Sequence, residues 1–101
     1  MERKKLLEDI AFAVEKKKPD EDPDDFADLV TRVRAATGTD VQPFLGLWQK
    51  VRPYFGDQAS QTSRDIASGR MMPTPDFRRR FVRAVKDWLK EAMVSHGSDR
   101  P

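Results

Sequence analysis

Ser60-Gln-Thr-Ser-Arg-Asp-Ile-Ala-Ser-Gly-Arg-Met-Met-Pro-Thr-Pro-Asp76, running straight into Phe77-Arg-Arg-Arg-Phe-Val-Arg83, says more about this chain than any other segment. It reads as a short polar helix over about 58–68, stopped by Gly69, then a tight loop and a long basic amphipathic helix. Thr74 is a natural N-cap for the long helix, Pro75 sits where a missing N–H costs nothing, and Asp76 suits the helix dipole. Phe77, Phe81, Val85, Trp88, Leu89 and Ala92 form its apolar stripe, with Arg78, Arg79, Arg83, Lys86 and Lys90 outward. Successive helical residues point about 100° apart, so Arg78, Arg79 and Arg80 do not form one patch, and Arg80, near the edge of the apolar stripe, is expected to snorkel or to pair with an acid. The short helix offers a core only Ile66 and Ala59 or Ala67. Its Gln, Ser, Thr and Arg side chains are of the kinds that hydrogen-bond to base edges and phosphates.

Upstream, Leu6, Leu7, Ile10, Ala13 and Val14 recur at helical spacing, which predicts a helix over 2–17 that Pro19 stops. An acidic loop over 18–25 follows. Asp24 or Asp25 is expected to cap a second helix running to about Thr37, with Phe26, Leu29, Val30 and Val33 inward, Arg32 and Arg34 outward, and Gly38 at its end. A third helix starts near Thr39 or Asp40 and carries Val41, Phe44, Leu45, Leu47, Trp48 and Val51. Pro53 cannot continue it unbroken, so a kink or new turn is expected through Pro53-Tyr-Phe-Gly56. No stretch alternates with period two. The expected fold is therefore all-α, a compact domain of five helices: an accessory helix 2–17, the loop 18–25, a core over 26–94 and a flexible tail over 95–101.

At 101 residues, 38% hydrophobic and 36% charged, the chain is large enough for one modest core. It has no cysteine, no run of about 20 apolar residues and no secretory signal pattern, which fits a cytoplasmic setting without membrane contact. The net charge of +2 is unevenly distributed: 19–31 hold six acids and no base, whereas 32–101 hold thirteen bases and seven acids. Such asymmetry hints at a polyanionic partner. Asp20, Asp22 and Asp24 alternate as in a calcium loop, but Asp25 and Thr31 stand where glycine and glutamate are needed. The only histidine, His96, has no positioned partner, and no thiol, phosphate loop or metal-ligand cluster exists, so neither catalysis nor a cofactor is expected. Trp48, Trp88, Phe44 and Phe81 have core spacing rather than that of a base-stacking platform, and Met71 and Met72 suit core or edge filling.

Taken with the proline loop and apolar stripe that follow it, Thr62-Ser-Arg-Asp-Ile-Ala-Ser-Gly-Arg-Met-Met-Pro-Thr-Pro resembles the lambda-repressor and Cro-like (Xre-like) helix-turn-helix family. The likeness covers roughly Phe26 to Trp88, most specifically its last third. The chain departs from the pattern in a longer Gly38–Gly56 interval, in Arg52-Pro53, in Ser63 at a usually apolar position, and in Ala67 at a usually acidic one. The resemblance implies a sequence-specific regulator of transcription binding double-stranded DNA, its recognition helix entering the major groove. By matching positions, Gln58, Ser60, Gln61, Thr62 and Arg64 face the groove, with Gln61 suited to adenine and Arg64 to guanine. Gln58 or Ser60 could instead hold a phosphate, while Arg70 and Arg79 grip the backbone. A homodimer is expected, through helix 2–17 or the outer face of the last helix. The alternative is an adaptor or anti-activator that keeps the fold but binds a protein partner, for example through the N-terminal helix.

Overall fold

A computed structural model describes the backbone of residues 3–37 and 42–97, and the side chains of 5–37 and 46–92. These residues form α1 (Arg3–Glu15), α2 (Pro23–Thr37), α3 (Gln42–Val51), a 3₁₀ turn (Arg52–Phe55), α4 (Ala59–Ala67) and α5 (Pro75–Gly97). The all-α architecture is the one the periodicities predict, and among the described residues there is no strand. Gly38, Thr39, Asp40 and Val41, and the side chains of Phe44, Leu45 and His96, lie outside the described residues. The last helix runs three residues into the stretch read as a flexible tail, ending at Gly97. No helix among the described residues is long and apolar enough to cross a membrane.

Leu6, Leu7, Ile10, Ala13 and Val14 of α1 are all buried, and Lys16 N–H closes the helix on Phe12 C=O at 2.9 Å. The expected cap of α2 needs correction. Asp22, not Asp24 or Asp25, holds that position: its Oδ1 accepts from Asp24 N–H at 2.9 Å and Asp25 N–H at 3.4 Å. Pro23 explains the shift, because its fixed φ makes it the first helical residue and leaves the cap to its predecessor. Asp25 turns back instead and accepts from Lys18 N–H at 3.1 Å.

Arg32 and Arg34 were expected to face outward, but both are half-buried. Arg32 donates through Nε to Asp28 Oδ2 and through Nη1 to Asp9 C=O, each at 2.9 Å, and its guanidinium lies 5.6 Å from the Phe12 ring centre. It thereby stitches α2 to α1. The destination of Arg34 concerns α4 and is taken up below.

Pro53 acts as its chemistry requires. The α-helix ends at Val51 and the chain tightens into the 3₁₀ turn, delivering Phe55 to the core. Around Phe81 an aromatic cluster joins three elements: Phe55 at 5.2 Å and Phe26 at 5.3 Å between ring centres, with Tyr54 at 6.4 Å. Edge-to-face contacts such as Phe26 on Phe81 are the geometry that ring quadrupoles favour. Trp48 stacks on Phe55 at 6.0 Å, and Trp88 and Phe81 are buried, as core spacing predicts.

Candidate nucleic-acid interface

Three residues, Gly56-Asp57-Gln58, connect the 3₁₀ turn to α4. That is a connection length typical of helix-turn-helix units. Gly56 carries it with φ +84° and ψ −163°, a region essentially closed to residues with a Cβ. The helix that follows is short because it is stopped firmly. Gly69, at φ +84°, lets its own N–H reach Ile66 C=O at 3.1 Å and Arg70 N–H reach Asp65 C=O at 2.8 Å, the paired closure of a Schellman motif. Thr74 then caps α5 through Oγ1, which accepts from Phe77 N–H at 3.2 Å.

Helix α4 packs on α2 and on the 3₁₀ turn, and it does so with little apolar bulk: Ala59, Ser63 and Ile66 are its buried residues. Ser63 has no exposed surface. Its hydroxyl donates to Ser60 C=O at 3.1 Å and accepts from Arg34 Nη1 at 2.7 Å; the same Nη1 lies 3.2 Å from Ser60 C=O. Here a polar residue takes a core position and α2 supplies the charged donor that satisfies it. Sequence reasoning missed Arg34. The available signal was Ser63 itself, since a hydroxyl at an apolar position requires a partner.

The opposite face of α4 is open. Ser60, Gln61 and Arg64 are exposed, and at about 100° per residue they span an arc of roughly 100°. Gln61 Nε2 donates to Asp65 Oδ1 at 2.9 Å, which leaves the second amide hydrogen and Oε1 available. The Arg64 side chain makes no hydrogen bond or ion pair among the described residues. Thr62 is separated from this group: it lies on the inner flank of α4 and is half-buried. Gln58 is exposed just ahead of the first turn, its side chain making no capping bond. Arg70 is exposed just past Gly69, and Ser68 lies between that glycine and α4. Beside the N-terminal turn an open groove of about 270 Å³ is lined by Arg34, Thr37, Trp48 and Ser60.

Arg79 belongs elsewhere. It is exposed on α5 and shares Asp76 with Arg80, at 3.4 and 3.2 Å; of the two fates expected for Arg80 the acid is the one it meets, with its side chain 71% exposed rather than lying along the apolar stripe. Arg78 corrects another expectation: instead of facing outward it is 7% exposed, and its Nη1 donates to Pro73 C=O at 2.7 Å. Its Nε is buried with no hydrogen-bond partner. The residue clamps the loop between α4 and α5, where Met72 also packs on the core but Met71 is exposed. No three His, Asp or Glu side chains among the described residues converge as a metal-binding group. The chain matches no protein-family model, no curated protein and no solved structure.

Proposed function

We propose that this chain is a sequence-specific DNA-binding regulator that lays the open face of α4 in the major groove of a duplex. The observation that carries this reading is the two-sidedness of α4. Its inner face is held by Ala59, Ser63, Ile66 and the Arg34 hydrogen bonds, while Ser60, Gln61 and Arg64 stand exposed together behind a three-residue turn. Gln61 and Arg64 are the side-chain types that read adenine and guanine in bidentate fashion. Asp65 supports that role by fixing the Gln61 amide while sparing the atoms a base would use. Arg70, beside the end of the helix, supplies a phosphate contact. Binding is non-enzymatic, and a two-fold pair of chains would bring two such helices to a palindromic site.

A titration of isotopically labelled protein with a duplex, followed by NMR at low and then moderate salt, tests this directly. Salt-sensitive shifts clustered on 58–70 are expected, since phosphate contacts release counterions. A folded sample showing no shifts at low salt would end the proposal.

One observation favours a second reading, an adaptor that binds a protein through α1. Phe12 projects from that helix 48% exposed, with the Arg32 guanidinium over its ring, an aromatic anchor of the kind protein interfaces use. Phe12→Ala would then abolish partner binding, whereas duplex binding through α4 is indifferent to it.

A further inference from the structure

Helix α5 places Arg79, Arg83, Lys86 and Lys90 at positions i, i+4, i+7 and i+11, which puts four exposed cations within an arc of about 60°. They line a single open groove of about 410 Å³ together with Asp20, Val82 and Asp87. A second groove of about 250 Å³, lined by Asp76, Arg79, Arg80 and Arg83, adjoins it. Asp76 is engaged by Arg79 and Arg80, whereas Arg83, Lys86 and Lys90 have no ion-pair partner among the described residues, although Asp20 and Asp87 share their groove. Asp87 stands four positions after Arg83 and three before Lys90, the spacings at which helix ion pairs form, yet it pairs with neither cation among the described residues.

We propose that this stripe is a second polyanion-binding surface, which takes the sugar–phosphate backbone of duplex DNA without reading its bases. The stripe is about 16 Å long at 1.5 Å per residue, the axial length over which one DNA strand presents roughly five phosphates. The surface lacks what other partners require. Val82, the apolar lining residue, is 4% exposed, so an acidic protein finds no anchor to desolvate. A membrane surface would need the apolar face of α5, and Phe81, Val85, Trp88 and Leu89 are buried in the core. The stripe is also distinct from the α4 face. Helix α5 packs on α1 and α3 while α4 packs on α2 and the 3₁₀ turn, and the grooves beside them share no lining residue. One chain thus has separate contacts for two backbone segments, of two duplexes or of one that bends.

The test compares the full chain with Arg83→Gln/Lys86→Gln/Lys90→Gln and with Arg64→Ala/Arg70→Ala, each titrated against a short labelled duplex of random sequence over a salt series. All these positions are exposed, so circular dichroism and urea midpoints should be unchanged. The triple variant is expected to flatten the slope of log affinity against log salt by about 2 to 3, at ~0.9 per lost phosphate contact, and to weaken low-salt binding at least tenfold. An unchanged slope and affinity overturn the proposal. So does a wild-type chain that binds polyglutamate or phosphatidylserine vesicles through these residues more tightly than duplex. If the α4 double variant loses binding while the triple variant keeps it, the stripe is wrong and the α4 reading stands. The opposite pattern overturns the α4 reading and keeps the stripe.

Discussion

Arg34 on α2 holds Ser63 on α4 at 2.7 Å, a charged donor on a hydroxyl with no exposed surface. Hydrogen bonds to charged groups contribute about 1.5–3 kcal/mol, comparable with the burial of Ile66, the one large apolar side chain that α4 buries. The attitude of α4 on the domain therefore depends on a polar contact between two helices.

Removing either partner should loosen α4 by a measurable amount. Arg34→Ala is expected to cost about 1–2 kcal/mol in urea unfolding and Ser63→Ala about 1 kcal/mol. The double variant should cost less than the sum, with a coupling energy of about 0.5–1.5 kcal/mol. Strict additivity would show that the bond contributes nothing.

Gly56 and Gly69 offer a cleaner separation of conformation from packing. A Cβ added at either meets nothing within 4 Å, so any cost of alanine comes from the backbone alone. Gly69→Ala should destabilise by about 1–2 kcal/mol, the penalty for a left-handed residue. Gly56→Ala, in the region reserved for glycine, should cost up to about 3 kcal/mol. Urea midpoints in the reverse order would contradict the backbone geometry at these turns.

Arg78 has a buried charge, one hydrogen bond to Pro73 C=O and an unpartnered Nε. Replacing a poorly satisfied buried ion by an apolar side chain of similar size is often neutral. Arg78→Met should therefore change stability by less than about 1 kcal/mol, whereas Arg78→Ala should lose about 2 kcal/mol through the cavity. In both variants amide exchange at Arg70, Met71 and Met72 should quicken, because the clamp on their loop is gone. Unchanged exchange would mean that Arg78 does not hold the loop.

If α4 reads DNA, its exposed residues should separate by role. Arg70→Ala should weaken all duplexes about equally and lower the salt slope by about 1. Gln61→Ala should cost about 1–3 kcal/mol at one base pair of a selected site and relax the preference there. Thr62→Ala, on the inner flank, should leave duplex affinity unchanged. Binding to selected and random duplexes by each variant measures all three.

What the sequence made legible is what neighbouring residues decide. Thr74-Pro75-Asp76 announces the start of α5, Gly69 the end of α4 and Pro53 the change from α-helix to 3₁₀ turn, because each rests on a φ angle or a donor within one turn of chain. The exposed arc of Ser60, Gln61 and Arg64 also follows from the helical period. Arg34 and Ser63 are 29 positions apart, and no periodicity within either helix reveals their meeting. Arg78 follows the same logic, since its acceptor is a loop carbonyl whose position exists only after the loop has folded. Even Asp22 was obscured by the run of acids around it, although Pro23 marked it.

Asp65 faces two ways. Its carboxylate holds the Gln61 amide, while its carbonyl receives Arg70 N–H at 2.8 Å, Ser68 Oγ–H at 3.1 Å and Met71 N–H at 3.3 Å. A single residue is thus bonded both to the Gln61 side chain and to the stretch of chain that bears Arg70. The carbonyl belongs to the backbone and survives any side chain, so a substitution at Asp65 releases the Gln61 amide and leaves the closure on Arg70 in place: the two can be altered one at a time.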